Sequence, residues 1–177
     1  MFYRGAKVAG GTYFFTVNLA DRSADTLLCH VDDLRLAINV VKARHPFVLR
    51  AMVVLPEHLH AIWRLPASDA DYPLRWALIK AGFSRRMERT EIIRGARQAK
   101  RERGIWQRRY WEHLIRDEDD LSRHVDYIHY NPVKHGWVLR AADWPHSTLH
   151  GYISRGMATT DWGCDGMRGG IDGFGER

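Results

Sequence analysis

The chain alternates between short runs rich in apolar and β-branched residues and longer stretches where apolar positions recur every three or four residues. Thr12-Tyr13-Phe14-Phe15-Thr16-Val17-Asn18-Leu19, entered through Gly10-Gly11, has the composition of a first strand. Leu34, Ile38 and Val41 then recur at helical spacing behind Asp32 or Asp33, either of which can cap the helix, and Pro46 ends it. Phe47 to Leu55 predicts a second strand, Pro56-Glu57 a short break, and His58 to Leu65 a third strand. After a polar loop from Pro66 to Asp71, a helix starts near Pro73 with Leu74, Ala77, Leu78 and Ala81 on its apolar side. Ile105 to Arg116 predicts a fourth strand and Asp117 to Asn131 a last helix.

The order β-α-β-β-α-β followed by a helix implies an α+β fold, the ferredoxin-like split βαβ sandwich. It pairs an antiparallel sheet with helices on one face, and the extra C-terminal helix is added to it. In that arrangement the first and third strands are central, so His58 and His60 fall in mid-sheet. A length of 177 residues suits one domain, expected over residues 1–153. Residues 154–177 form a glycine-rich tail, with seven glycines from Gly156 to Gly175 and only Trp162 and Phe174 as large anchors, so a flexible segment is expected.

Charge changes the picture. The net charge is +6 and the pI about 9.6, but the distribution is uneven. From Arg75 to Arg116 there are thirteen Lys/Arg against four Glu, so the remainder is slightly acidic. Trp76, Phe83, Trp106, Tyr110 and Trp111 are interleaved there. Cations neutralise phosphates and aromatic faces stack on unpaired bases, which suits single strands or hairpin ends; a solvated helix face over core aromatics is the plainer explanation. Cys29 and Cys164 stand far apart and fit no metal or redox spacing, and the N-terminal apolar stretch is short and interrupted by Thr16 and Asn18. A cytoplasmic protein without a membrane span or nucleotide cofactor is expected; monomer and homodimer both stay open.

On a strand His58 and His60 point to one face and Leu59 and Ala61 to the other. Two such imidazoles can chelate one metal ion, given a third ligand, or simply hydrogen-bond at a sheet edge. The last helix opens with Asp117 as cap and Glu118, Asp119 and Asp120 on the positive end of its dipole. Pro132 disfavours helical geometry at Asn131 and should end it there. Counting about 100° per residue from Leu121, Val125 and Ile128 complete a buried stripe, with Tyr127, Asn131 and His124 flanking it at about 240°, 280° and 300°. Tyr130 falls near about 180°, away from the core. One helix can therefore present the Tyr127 phenol and the Asn131 amide, about 6 Å apart along its axis, to a shared site that Tyr130 cannot join; for this helix alone, an interfacial tyrosine and a helix-ending asparagine are the plainer explanation.

Three blocks now resemble a known family. Val53-Val54-Leu55-Pro56-Glu57-His58-Leu59-His60, Trp106-Gln107 with Tyr110-Trp111-Glu112-His113, and Val125-Asp126-Tyr127-Ile128-His129-Tyr130-Asn131-Pro132-Val133-Lys134-His135-Gly136 are similar to the REP-associated tyrosine transposases, within the single-tyrosine, His-hydrophobic-His transposases of small bacterial insertion sequences. The resemblance runs from Gly10 to about Trp162. It implies a ferredoxin-like fold and Mg- or Mn-dependent cleavage of single-stranded DNA beside a hairpin, leaving a 5′-phosphotyrosine and a free 3′-OH. Position by position it implies His58 and His60 as metal ligands, Tyr127 as nucleophile and Asn131 as third ligand, where insertion-sequence relatives often carry Gln. The charged Glu88–Arg103 stretch is longer than the family pattern and is either a DNA-contacting arm or an insertion. Arg108, Arg109 and Lys134, and Arg4 and Lys7 near the first strand, are candidates for phosphate contact. Two rivals remain open: a catalytically silent regulator that binds DNA hairpins, and a metal phosphodiesterase with water as nucleophile.

Overall fold

A computed structural model describes residues 7–89 and 103–164. Four strands form one antiparallel sheet: β1 (Thr12–Asn18), β2 (Val48–Val54), β3 (His58–Arg64) and β4 (Trp111–Leu114), in the order β2-β3-β1-β4. This is the split βαβ order, with the first and third strands central. A short helix α1 (Thr26–Cys29), absent from the periodicity, precedes α2 (Val31–Arg44). Helices α3 (Tyr72–Arg86), α4 (Glu118–Lys134) and α5 (Leu149–Ser154) follow, with a 3-10 turn at Ala141–Asp143.

The period-two pattern of the strands sorts their side chains onto two different cores. Tyr13, Phe15 and Val17 with Leu59, Ala61 and Trp63 meet α2 and α3 on one face; Trp63 stacks on Trp76 at 4.2 Å and on Phe47 at 4.2 Å. Phe14, Ala51, Val53 and Ile62 meet α4 on the other, with Tyr127, Ile128 and Trp144. The outer edge of β2 is closed by the segment after the 3-10 turn, where Val54 N–H donates to His146 O and Thr148 N–H to Met52 O, both at 2.9 Å.

Several boundaries differ from the sequence expectation. The cap of α2 is His30, and Asp32 and Asp33 lie inside the first turn, facing the dipole rather than closing it. Helix α3 buries Tyr72, Arg75, Trp76, Ile79, Gly82 and Phe83, whereas Leu74, Ala77 and Ala81 face solvent. The reason is Arg75, whose guanidinium donates to the carbonyls of His45, Pro46 and Asp71 and to Asp69. That network carries a charged residue into the core side of the helix. The fourth strand is confined to Trp111–Leu114, because Ile105 to Gln107 pair instead with the last residue of β1 and the two after it. Helix α4 passes through Pro132 to Lys134; burial of Asn131 and Pro132 outweighs the local bias against helix before proline.

No helix among the described residues is long and apolar enough to cross a membrane. Arg4, Phe174 and most of the 88–103 stretch lie outside the described residues. The described part of the tail packs against the outer side of α4, with the Trp162 ring 5.9 Å from that of His129.

Candidate active site between the sheet and helix α4

The β1–β3 register places Thr16 opposite His60 and Asn18 opposite His58, on the face that α4 covers. The two imidazole rings lie 4.9 Å apart, nearly perpendicular, and both residues are buried. Each has its Nδ1 engaged: that of His58 with Glu57 Oε1 at 2.9 Å, that of His60 with Thr16 Oγ1 at 2.9 Å. Glu57 is also approached by Arg22 at 3.7 Å. Burial works against the Glu57 carboxylate, but the His58 hydrogen bond and the nearby charges outweigh it and hold its pKa below the ordinary value. With Nδ1 committed, Nε2 is the nitrogen each histidine has for a metal, the carboxylate–histidine arrangement that orients ligands in metal sites. The buried Nε2 of His58 has no hydrogen-bond partner among the described residues. An imidazole pair held this way fits a divalent metal ion.

Helix α4 brings its polar stripe onto this pair. Tyr127 meets His60 edge-on at 5.2 Å and Phe14 at 5.9 Å, and the His135 ring lies 5.5 Å from that of His58. Asn131 stands one turn from both Tyr127 and His135 and is fully buried in the same gap. The expected cleft-wall stripe is thus an inward face: His58 is 1% exposed, and His60, Tyr127 and Asn131 are 0%. Lys134 and His135, both exposed, form the rim. Lys134 Nζ lies 3.5 Å from Tyr127 Oη and 4.8 Å above the ring.

The expected phosphate contacts are more scattered. Gln107 N–H donates to Asn18 O at 3.0 Å, and Asn18 pairs with His58, so the exposed Arg108 and Arg109 follow directly at that end of the sheet. Lys7 is exposed ahead of β1. The sequence pattern does not mark Glu57, Thr16 or His135. Glu57 adjoins His58 in the sequence, Thr16 is found only through strand register, and His135 was hidden by ending the helix at Asn131.

A second histidine group lies under the same helix. His113 on β4 pairs with Phe14, and its Nε2 lies 2.9 Å from Asp120 Oδ2. His124 Nδ1 lies 2.7 Å from the Asp120 carbonyl, and the His113 and His124 rings stack at 4.7 Å. The ligand atoms of the three residues are within 4.8 Å of one another, so the group can hold a metal ion. Its carboxylate, however, already accepts from Arg116 N–H and Nε–H, both at 3.1 Å, with Arg123 at 3.6 Å. Burial raises the Asp120 pKa, but these bonds from Arg116 and His113 prevail and hold it well below the usual carboxylate range. Burial keeps the His124 imidazole below its ordinary value.

No family model matches the chain. It is 46% identical over 163 residues to the REP-associated tyrosine transposase of Escherichia coli strain K12, an alignment covering 92% of this chain and 91% of that protein. It is 43% identical over 162 residues to a Haemophilus influenzae protein named for the same family, covering 91% and 92%. Its fold is similar to that of a REP-associated tyrosine transposase solved bound to a REP hairpin, with a TM-score of 0.83, 44% identity, and coverage of 100% of this chain and 98% of the other.

Proposed function

The chain belongs to the REP-associated tyrosine transposases, and from that premise we propose that it nicks and rejoins single-stranded DNA beside a REP hairpin, using Tyr127 as nucleophile. The observation that carries this reading is the packing of Tyr127 against a histidine pair whose Nδ1 atoms are both committed elsewhere. His58, His60 and Asn131 would hold a divalent ion, Mg or Mn, which when bound draws charge from the scissile phosphate. Glu57 and Thr16 fix the two imidazoles for that purpose. Tyr127 attacks phosphorus through Oη; the bond to the 3′-oxygen breaks, the phenol proton leaves to solvent, and the 3′-oxygen is protonated. The phosphotyrosine conserves the bond energy, so a second 3′-OH can reverse the step without a nucleotide cofactor. Arg108 and Arg109 contact backbone phosphates at the edge of the site, with Arg4 and Lys7 as further contacts near the N-terminal strand.

A binding-only reading draws support from the burial of Tyr127, since no phosphate reaches the phenol until covering side chains shift. One experiment separates the two. The protein is incubated with a labelled single-stranded REP-hairpin oligonucleotide and Mn. Cleavage with a covalent adduct, lost in Tyr127→Phe and in His60→Ala, is the expected result. Tight hairpin binding without cleavage would establish the regulator instead, and cleavage surviving Tyr127→Phe would point to water as nucleophile.

A further inference from the structure

We propose that Lys134 is a catalytic residue of strand cleavage, its ammonium serving both the attacking oxygen of Tyr127 and the phosphoryl oxygens it attacks; the inference rests on Tyr127 being the nucleophile. Lys134 and Tyr127 are seven residues apart, about two helical turns, so they rise from one face of α4. The side chain runs from the exposed rim to the buried phenol, with Nζ 3.5 Å from Oη and 4.8 Å from the ring centroid. Its place in the last turn of α4 puts it where the helix dipole favours a positive charge.

The geometry goes further than an ordinary phosphate contact. A phenol poised for in-line attack has its oxygen about 3–3.5 Å from the reacting atom. A cation within hydrogen-bond reach of that oxygen then also lies within reach of the non-bridging oxygens on phosphorus. As the bond from Oη to phosphorus forms and the bond to the 3′-oxygen breaks, negative charge moves off the phenol oxygen and spreads over the phosphoryl group. Lys134 stands where it can follow that charge from one side of the new bond to the other. Contacts that strengthen in the transition state raise the chemical rate, while a contact made equally in the ground state only tightens binding. The reverse step, in which a 3′-OH displaces the tyrosine, passes through the same arrangement and needs the same cation. A lysine that merely holds backbone would instead appear in affinity and its salt dependence.

The test uses the full-length protein with Mn and the REP-hairpin oligonucleotide, measuring hairpin affinity, its salt dependence and the single-turnover adduct rate at saturating DNA. In Lys134→Met the saturating rate should fall by roughly 100-fold, the scale for losing one charge-stabilising donor, with affinity changed by no more than about threefold. Lys134→Arg keeps the charge in a bulkier fork and should recover about tenfold of that loss. A saturating rate in Lys134→Met within about threefold of the unaltered protein, whatever happens to affinity, overturns the inference and leaves Lys134 a phosphate contact. Because Lys134 lies on the rim, the variants should melt with the unaltered protein; were the methionine variant misfolded, Lys134→Gln, polar but uncharged, decides, and a saturating rate there within about threefold of the unaltered protein would also overturn the claim. An adduct that survives Tyr127→Phe defeats the nucleophile assignment itself, and this inference with it.

Discussion

Two histidine groups share one face of the sheet, one on either side of Phe14, whose ring lies 5.5 Å from His60 and 4.9 Å from His124. Both lie under α4, and both include a carboxylate. They differ in what the carboxylate does. Glu57 stands behind His58 and engages the nitrogen that faces away from the gap, leaving Nε2 toward it. Asp120 stands among the ligands and accepts from Arg116 and His113. The first carboxylate orients an imidazole; the second accepts from Arg116 and His113 and ties the start of α4 to β4.

Substitutions can break that contrast, beginning with the largest effect. His60→Ala should abolish the DNA adduct and remove measurable Mn binding, whereas His124→Ala should keep Mn affinity within about threefold, as titration calorimetry can show. Loss of Mn binding in the second variant alone would reverse the assignment. Asp120→Asn should cost about 2 kcal/mol in urea unfolding, because the buried carboxylate accepts charge-assisted bonds from Arg116 and His113 that an amide cannot all replace. Its sign with pH follows from the depressed pKa. Unfolded Asp120 takes up a proton near its ordinary value of about 3.9 while the folded form stays ionised, so its stabilisation is complete above that pH and is lost as pH falls below it. The Asp120→Asn penalty should accordingly shrink when unfolding is repeated under more acidic conditions.

Subtler changes test the orienting groups. Glu57→Gln should weaken Mn binding by about tenfold without unfolding the protein, the scale for loss of an outer-shell partner. Thr16→Val, nearly isosteric, should lower Mn affinity by only about threefold and stability by about 1 kcal/mol. An effect of Thr16→Val larger than that of Glu57→Gln would mean that His60, and not His58, depends most on its support.

The strands are legible because both faces of the sheet are buried, by different cores, so each strand shows as a short run of apolar and β-branched residues. Phe14 and Phe15 look alike in the sequence, yet one faces α4 and the other α3. The buried side of α3 departs from its apolar pattern for a physical reason: Arg75 and Gly82 sit on the buried face, and the carbonyls that satisfy Arg75 come from residues up to thirty positions away. Helix α4 shows the limit most clearly. Its Tyr127, Asn131 and His124 face inward because polar groups await them across the gap, and a hydrophobic pattern cannot report a polar interior. Proline's local bias ended the helix too early and concealed His135 and the reach of Lys134. The partnership of Thr16 with His60 exists only in the pairing register.

The wheel alone separated Tyr127 from Tyr130, and the fold agrees: Tyr127 is wholly buried against His60, while Tyr130 lies on the other side of α4, beside Gly163. Mass spectrometry of the protease-digested DNA adduct tests this most directly. The account requires the nucleotide mass on the peptide residue Tyr127. A nucleotide on Tyr130, or on no tyrosine of α4, would contradict it.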